Sequence, residues 1–132
     1  MNQSFFQMAL VVADYDEAIS FYTEKMKFSL LEDTTLSETK RWVRVQPPGD
    51  GNGASLLLAK AASESQEASI GNQTGGRVFL FMHTDDCDRD FHYYKSQGIK
   101  IVRERTEHDY GKVFVIEDLY GNLWDIIQPP SL

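Results

Sequence analysis

The stretch QMALVVADYDEAISFYTEKM, residues Gln7 to Met26, joins a strand pattern to a helix pattern. Residues 5–12 are largely apolar and rich in strand-forming side chains, which predicts a strand. Apolar residues then recur at a spacing of three or four up to Met26, which predicts an amphipathic helix. Asp14 followed by Glu17 has the form of a capping box, in which a carboxylate accepts hydrogen bonds from the amides at a helix start. The stretch therefore predicts a strand, a tight turn and a helix.

Three more strands follow this helix in the first half of the chain. Residues 28–34, 41–46 and 54–59 have strand patterns, and the turn-rich sequence PPGDGNG at 47–53 separates the last two. The first half is therefore predicted to have the order βαβββ.

The same order returns in the second half. Strand patterns lie at residues 77–83, 99–104, 112–117 and 123–128. A helix start at Asp85 with Asp88 precedes an apolar stripe of helical spacing, formed by Cys87, Phe91, Tyr94 and Gly98. Matching residues lie 71 positions apart, as Asp14 and Asp85 do (85 − 14 = 71). Such a period indicates two copies of one structural unit.

We therefore predict an α+β fold made of two tandem βαβββ modules, residues 5–60 and 77–128. Residues 61–76 are polar and lack lasting periodicity, so they are interpreted as a linker or flexible loop within a single domain spanning 1–132. Each module would cover one face of a four-stranded sheet with its helix and leave the other face bare. Two such sheets placed together would enclose a cleft.

Composition argues against several classes of partner. The 132 residues carry a net charge of −7, which disfavours binding to nucleic-acid phosphates or to anionic membranes. No apolar run approaches the roughly 20 residues of a membrane span, and no signal-like segment is present. The single cysteine, Cys87, permits no internal disulfide. We interpret Cys87 as a small buried apolar residue and expect a cytoplasmic protein.

Strand alternation predicts which side chains lie on the bare faces, because successive residues point to opposite sides of a sheet. Gln7 in the first strand, Trp42 and Arg44 in the third, and Asp125 in the last are predicted on these faces. Phe79 shares its alternation with His83, and Tyr110 precedes the seventh strand. The candidate ligand-binding residues are Gln7, Trp42, Arg44, Phe79, Tyr110 and Asp125.

The two-module order and three motifs resemble the vicinal oxygen chelate superfamily, which includes glyoxalase I, bleomycin-resistance proteins and extradiol dioxygenases. The motifs are LVVADYDEAISFY at 10–22, PPG at 47–49 and EDLYGNLWD at 117–125. The resemblance covers nearly the whole chain and implies the paired βαβββ fold, a small-molecule substrate or ligand, and a symmetric homodimer. It does not specify a reaction, since the superfamily supports many chemistries.

Metal-dependent members of this superfamily use four ligand positions, two in each module. The resemblance places them on Gln7, on a residue within ASLLLA at 54–59, on Val78 or Phe79, and on Asp125. Only Gln7 and Asp125 have side chains that bind metals, whereas catalytic sites normally keep about three protein ligands. We therefore predict no metal and no cofactor. His83 could complete a rearranged site, but a hydrogen-bonded or solvated role is expected for both His83 and His108.

The leading hypothesis is a dimeric, metal-free small-molecule-binding protein. Its ligand would combine an aromatic or apolar body with a cationic or hydrogen-bond-donating group. The first alternative is a divalent-metal lyase, isomerase or dioxygenase that uses Gln7 and Asp125. The second is an interaction or regulatory domain whose cleft no longer binds anything.

Overall fold

The computed structural model describes residues 1–131 and contains eight β-strands, three short α-helices and one π-helical segment. The chain divides into two compact units, Met1–Ile70 and the residues from Gly71 onward. No helix among residues 1–131 is long and apolar enough to cross a membrane.

The first unit is a βαβββ module followed by a short helix. Its elements are β1 (Gln7–Val12), α1 (Tyr15–Ser20), a π-helical segment (Phe21–Lys25), β2 (Ser29–Thr35), β3 (Arg41–Gln46), β4 (Ser55–Lys60) and α2 (Glu64–Ser69). The strand order in the sheet is β1-β4-β3-β2, with β1 parallel to β4 and the other pairs antiparallel. As predicted, Asp14 caps α1 by accepting a hydrogen bond from the Glu17 backbone N–H at 2.9 Å.

The core of the first unit lies between the sheet and α1. Alternate residues of the inner strands are fully buried, namely Leu10, Val12, Val43, Val45 and Leu58. Ala18 and Tyr22 from the helical segment are also fully buried. The intervening strand residues Gln7, Trp42 and Arg44 are only half-buried, as the alternation predicted. We call the sheet face that carries these residues, opposite the helix, the helix-free face.

The polar segment 61–76 is not structureless, because it contains α2. Ser63 caps this helix by accepting a hydrogen bond from the Gln66 N–H at 3.2 Å, and no residue of the helix is buried. A helix without a buried stripe has no apolar periodicity, which is why the sequence pattern did not reveal it.

The second unit repeats the module. Its elements are β5 (Val78–His83), α3 (Cys87–Ser96), β6 (Ile101–His108), β7 (Gly111–Glu117) and β8 (Leu123–Gln128). The strand order is β5-β8-β7-β6, with β5 parallel to β8. Phe91 and Tyr94 of α3 pack edge-on against Phe114 of β7, with ring centroids 5.4 and 6.0 Å apart. Burial raises the pKa of the Cys87 thiol to about 11, so Cys87 behaves as an apolar core residue.

The spacing between matching residues of the two modules is not 71 residues throughout. Asp86, rather than Asp85, caps α3 by accepting from the Arg89 N–H at 3.0 Å, so the two helix caps lie 72 residues apart (86 − 14). Beyond the helices the buried Phe28 and Ile99 lie 71 apart (99 − 28). The π-helical segment Phe21–Lys25 accounts for the change, since a π turn accommodates one extra residue.

The DLYGN turn between β7 and β8 is organised by a buried carboxylate. Asp118 Oδ1 accepts hydrogen bonds from the N–H groups of Tyr120, Gly121 and Asn122, at 2.9–3.1 Å. Its Oδ2 accepts from the Trp124 indole Nε1 at 3.1 Å. The turn is therefore a structural element. Eight strands in two four-stranded mixed sheets confirm the predicted α+β fold.

Candidate functional site

The helix-free face of the first sheet carries a hydrogen-bonded polar cluster. Arg44 Nε donates to Gln7 Oε1 at 2.7 Å, and another guanidinium nitrogen donates to Ser55 Oγ at 3.2 Å. Gln7 and Ser55 lie opposite each other in the parallel β1–β4 pair, which brings both within reach of Arg44 on β3. The structure therefore brings together Gln7 and Arg44, as strand alternation predicted.

Arg44 also lies near an acidic group. Its third nitrogen is 3.8 Å from Glu32 Oε1 on β2, the residue with which it is paired in the sheet. The guanidinium thus has neighbours on three strands and is only about a quarter exposed. The Gln7 amide oxygen is engaged by a permanently charged donor. The face is consequently organised by contacts among its own side chains.

The helix-free face of the second sheet contains a carboxylate with an unpaired oxygen. Asp125 Oδ1 is buried and has no hydrogen-bond partner among residues 1–131. Burial raises the pKa of the Asp125 carboxyl above its ordinary value, and the positive charge of Arg103 only partly opposes that shift. A polar oxygen buried without a partner is energetically unfavourable, so this position differs from ordinary surface carboxylates.

A β-bulge in β5 changes which aromatic residue lies beside Asp125. The β5–β8 register shifts between Val78 and Leu80, after which Phe81 pairs with Asp125. The Phe79 ring contacts the buried Trp124 ring edge-on, with centroids 6.1 Å apart. Phe81 is 69% exposed. Strict alternation would place Phe79 and Phe81 on the same face of the sheet. Because the bulge adds one residue to β5, Phe81 lies beside Asp125 and Phe79 contacts Trp124 instead.

The remaining candidates, Trp42 and Tyr110, belong to different units. Trp42 is half-buried on β3, opposite Thr34. Tyr110 is 60% exposed in the β6–β7 turn and stacks on the His108 ring, with centroids 4.9 Å apart. Asp125 pairs with Val115 in the middle of β7, at a distance from that turn.

His83 and His108 lie at the ends of β5 and β6. His108 lines a pocket of about 220 Å³ with Lys112 and Gln128 at the end of the second sheet, and its ring Nε2 lies 2.9 Å from Thr106 Oγ1. Among residues 1–131, no three His, Cys, Asp or Glu side chains are grouped closely enough to hold a metal ion.

The four positions that the superfamily uses for metal do not fit a divalent ion. The Gln7 oxygen that would coordinate the ion already accepts a hydrogen bond from a cation, Arg44. The residues paired with Gln7 and its neighbours on β4 include Ser55, Leu56 and Leu57, which supply no carboxylate or imidazole. Val78 and Phe79 in the bulged strand supply none either. The donor set therefore does not match the usual requirement of about three protein ligands.

Three residues of the helix-free faces were not among the candidates predicted from the sequence. Ser55 and Glu32 contact Arg44 across strands, and no local pattern in the sequence predicts that pairing. Strand alternation places Phe81 on the same face as Phe79, so the sequence pattern does not separate the two residues. Only the bulge, which has no clear sequence marker here, distinguishes them.

Relatives and solved structures share this chain's length and fold. An uncharacterised protein of Shewanella frigidimarina (strain NCIMB 400) is 60% identical over 129 residues, covering 97% of this chain and 95% of the relative. The crystal structure of UcmS2 has a TM-score of 0.84 at 24% identity and covers 96% of this chain and 98% of its own. TnmS3, an antibiotic binding protein from Streptomyces sp. CB03234, has a TM-score of 0.77 at 25% identity, with 98% of both chains covered.

The family assignment rests on nearly the whole sequence. The profile of the Glyoxalase/Bleomycin resistance protein/Dioxygenase superfamily matches residues 4–126, a range that includes the first βαβββ module, the second as far as the middle of β8, and all six candidate residues. The resemblance inferred from the motifs is thereby confirmed, and this chain belongs to the Glyoxalase/Bleomycin resistance protein/Dioxygenase superfamily.

Proposed function

We propose that this protein binds a small organic molecule without using a metal ion. The observation that carries the proposal is the 2.7 Å hydrogen bond from Arg44 Nε to Gln7 Oε1. A glutamine coordinates a cation through this oxygen, and here a guanidinium occupies it. The positive charge of Arg44 would also repel a divalent ion at the same place.

Two further observations support ligand binding over a purely structural role. The half-buried Asp125 carboxylate is not fully satisfied by residues 1–131, so a ligand with a donor group would gain a hydrogen bond at its more accessible oxygen. TnmS3, which shares the fold at 25% identity, is an antibiotic binding protein. We infer a ligand with an apolar or aromatic body and a cationic or hydrogen-bond-donating group.

Metal content tests the proposal directly. Untagged protein purified without chelator is expected to contain no stoichiometric nickel, zinc, iron or manganese by elemental mass spectrometry, before or after incubation with each ion. Gln7→Ala and Asp125→Ala serve as matched variants and should give the same result. Near-stoichiometric metal that disappears in either variant would refute the metal-free proposal and favour a divalent-metal lyase, isomerase or dioxygenase.

A ligand screen tests the binding half of the proposal. Small molecules with apolar bodies, antibiotics among them, are expected to raise the thermal unfolding temperature in buffer that contains EDTA. The same stabilisation without EDTA would show that metal contributes nothing. Stabilisation that appears only when a divalent ion is added would contradict the proposal.

We also propose that the two modules act as one domain, that the chain forms a symmetric homodimer, and that it works in the cytoplasm. Homodimers are common among soluble proteins, and the resemblance to the superfamily favours one here. The buried, unpaired Cys87 fits a reducing compartment. Sedimentation at micromolar concentration tests the dimer, and a monomer there would contradict it.

A further inference from the structure

Sheet pairing places four residues in one row across the second sheet. Phe81 on β5 pairs with Asp125 on β8, Asp125 pairs with Val115 on β7, and Val115 pairs with Arg103 on β6. Side chains of directly paired residues lie on the same face, with Cβ atoms about 5 Å apart. The Asp125 carboxylate therefore has an exposed phenyl ring on one side and a buried valine on the other.

Asp125 has no direct ion-pair partner within this row. Arg103, the cation that faces it, is two strands away, with Val115 between them, and its positive charge acts on the carboxylate only over that distance. No Lys, Arg or His side chain among residues 1–131 lies within ion-pair distance of the Asp125 carboxylate. A half-buried carboxylate without a direct ion-pair partner favours the approach of a positively charged group from outside.

Phe81 determines which kind of cation fits. Its ring is 69% exposed although it lies in a strand, so a large apolar surface stands beside the carboxylate. The face of an aromatic ring attracts cations and also packs on apolar groups. A bare metal ion would find one carboxylate and no second ligand here, whereas an organic cation would use both neighbours.

We propose that the helix-free face of the second sheet binds an organic molecule through a basic nitrogen, which pairs with Asp125 while the adjoining apolar part packs on Phe81. This inference rests on the proposed small-molecule function and adds the chemical class of the ligand. The second carboxylate oxygen is the point of entry, because Oδ1 is buried whereas the Asp125 side chain as a whole is half-buried.

Three probes that share a 2-phenylethyl body and differ in the charge of their end group separate the contribution of charge from that of apolar contact. They are 2-phenylethylammonium, the neutral 2-phenylethanol and the anionic 3-phenylpropanoate, titrated into ¹⁵N-labelled full-length protein at pH 7. The ammonium probe is expected to bind about tenfold more tightly than the alcohol, because a charge-assisted hydrogen bond adds to the same ring contact. Its largest amide shifts should lie in β5 and β8. The anionic probe should bind least.

Two variants, each with a control, test which side chain makes which contact with the probes. Asp125→Asn is expected to remove the preference for the ammonium probe and leave the affinity for the alcohol nearly unchanged. Phe81→Ala should weaken both probes by about fivefold, since the ring contact is common to them. Asp109→Asn and Phe5→Ala alter an exposed carboxylate and an exposed phenyl ring elsewhere and should change neither affinity. The spectra themselves report whether each variant is folded.

The outcomes separate this inference from the function on which it rests. Equal binding of the neutral and ammonium probes, unaffected by Asp125→Asn, would overturn the basic-nitrogen assignment while small-molecule binding stands. Amide shifts confined to residues outside β5 and β8 would overturn the location. No shift with any probe, together with no stabilisation by any compound in the ligand screen, would overturn both proposals.

Discussion

The helix-free faces of the two sheets carry opposite charges in equivalent strand pairs, but on different members of the pair. In the first sheet Arg44 lies opposite Leu57, and in the second Val115 lies opposite Asp125. Arg44 donates to Gln7 and Ser55 and approaches Glu32. Asp125 Oδ1 has no partner among residues 1–131. The same architecture thus carries one charged group that the protein satisfies and one that it leaves unsatisfied.

From this difference we expect the two helix-free faces to have different roles. A charge that its own neighbours satisfy stabilises a face and has little left to offer a ligand. A half-buried carboxylate without a partner costs stability, and it recovers that cost when an external donor binds. The first face is therefore expected to contribute mainly to stability and the second mainly to recognition.

Among these substitutions, Asp118→Asn should reduce the stability of the protein most. It measures how much a fully hydrogen-bonded carboxylate contributes to stability. Asp118 is buried and accepts hydrogen bonds from backbone amides and from the Trp124 indole, so an amide nitrogen in its place would meet donors. We expect the free energy of unfolding to fall by about 3 kcal/mol, measured by urea denaturation. A loss below about 1 kcal/mol would show that pairing of buried carboxylates matters little in this module.

Arg44→Met should cause the second-largest loss of stability, because it removes the hydrogen-bonded charge from the helix-free face of the first sheet. Gln7 and Ser55 would lose a charged donor while remaining partly buried, so we expect a loss of about 2 kcal/mol. Arg89→Met is the matched control. Arg89 pairs with Asp85 and Asp90 but is 55% exposed, and its loss should cost less than about 1 kcal/mol. Equal losses in the two variants would contradict the special role of the Arg44 cluster.

Asp125→Asn should have the smallest effect and the opposite sign. The pKa of the Asp125 carboxyl is raised in the folded protein above its ordinary value of 3.8, so ionisation at neutral pH opposes folding. Asparagine removes that charge, and we expect the variant to be more stable than the parent by about 1 kcal/mol at pH 7.

The pH dependence of this gain checks its cause. Below the ordinary pKa of 3.8 the carboxyl is neutral in both the folded and the unfolded chain, so the gain should vanish there. It should grow as the pH rises through the raised pKa and then stay constant. Urea denaturation from pH 3 to pH 8 measures it, with Asp109→Asn as an exposed control. A gain that does not change with pH would exclude the charge as the cause.

Much of the fold follows from local patterns in the sequence. The alternation that buries Leu10 and Val12 also places Gln7 and Arg44 on the other face, although they lie 37 positions apart. The cap at Asp14 was predictable because its partner Glu17 is local. Family membership followed from motifs that extend over both modules.

Two of the differences from the prediction are of one residue each and have a similar physical origin. Asp86 rather than Asp85 caps α3, and Phe81 rather than Phe79 lies beside Asp125. A π-helical turn and a β-bulge each change the count by one without changing the kind of element. Their positions depend on packing against distant strands, which a local pattern does not contain. The partners of Arg44 escaped prediction for the same reason.

The bulge in β5 also has a consequence for how such proteins change over time. Deletion of Phe79 alone would restore an uninterrupted ladder between β5 and β8, because Val78 and Leu80 already pair with consecutive residues of β8. Phe81 would stay opposite Asp125, whereas Trp124 would lose the ring that packs edge-on against it. The length of β5 can therefore change over time by one residue while the Phe81–Asp125 pair keeps its register.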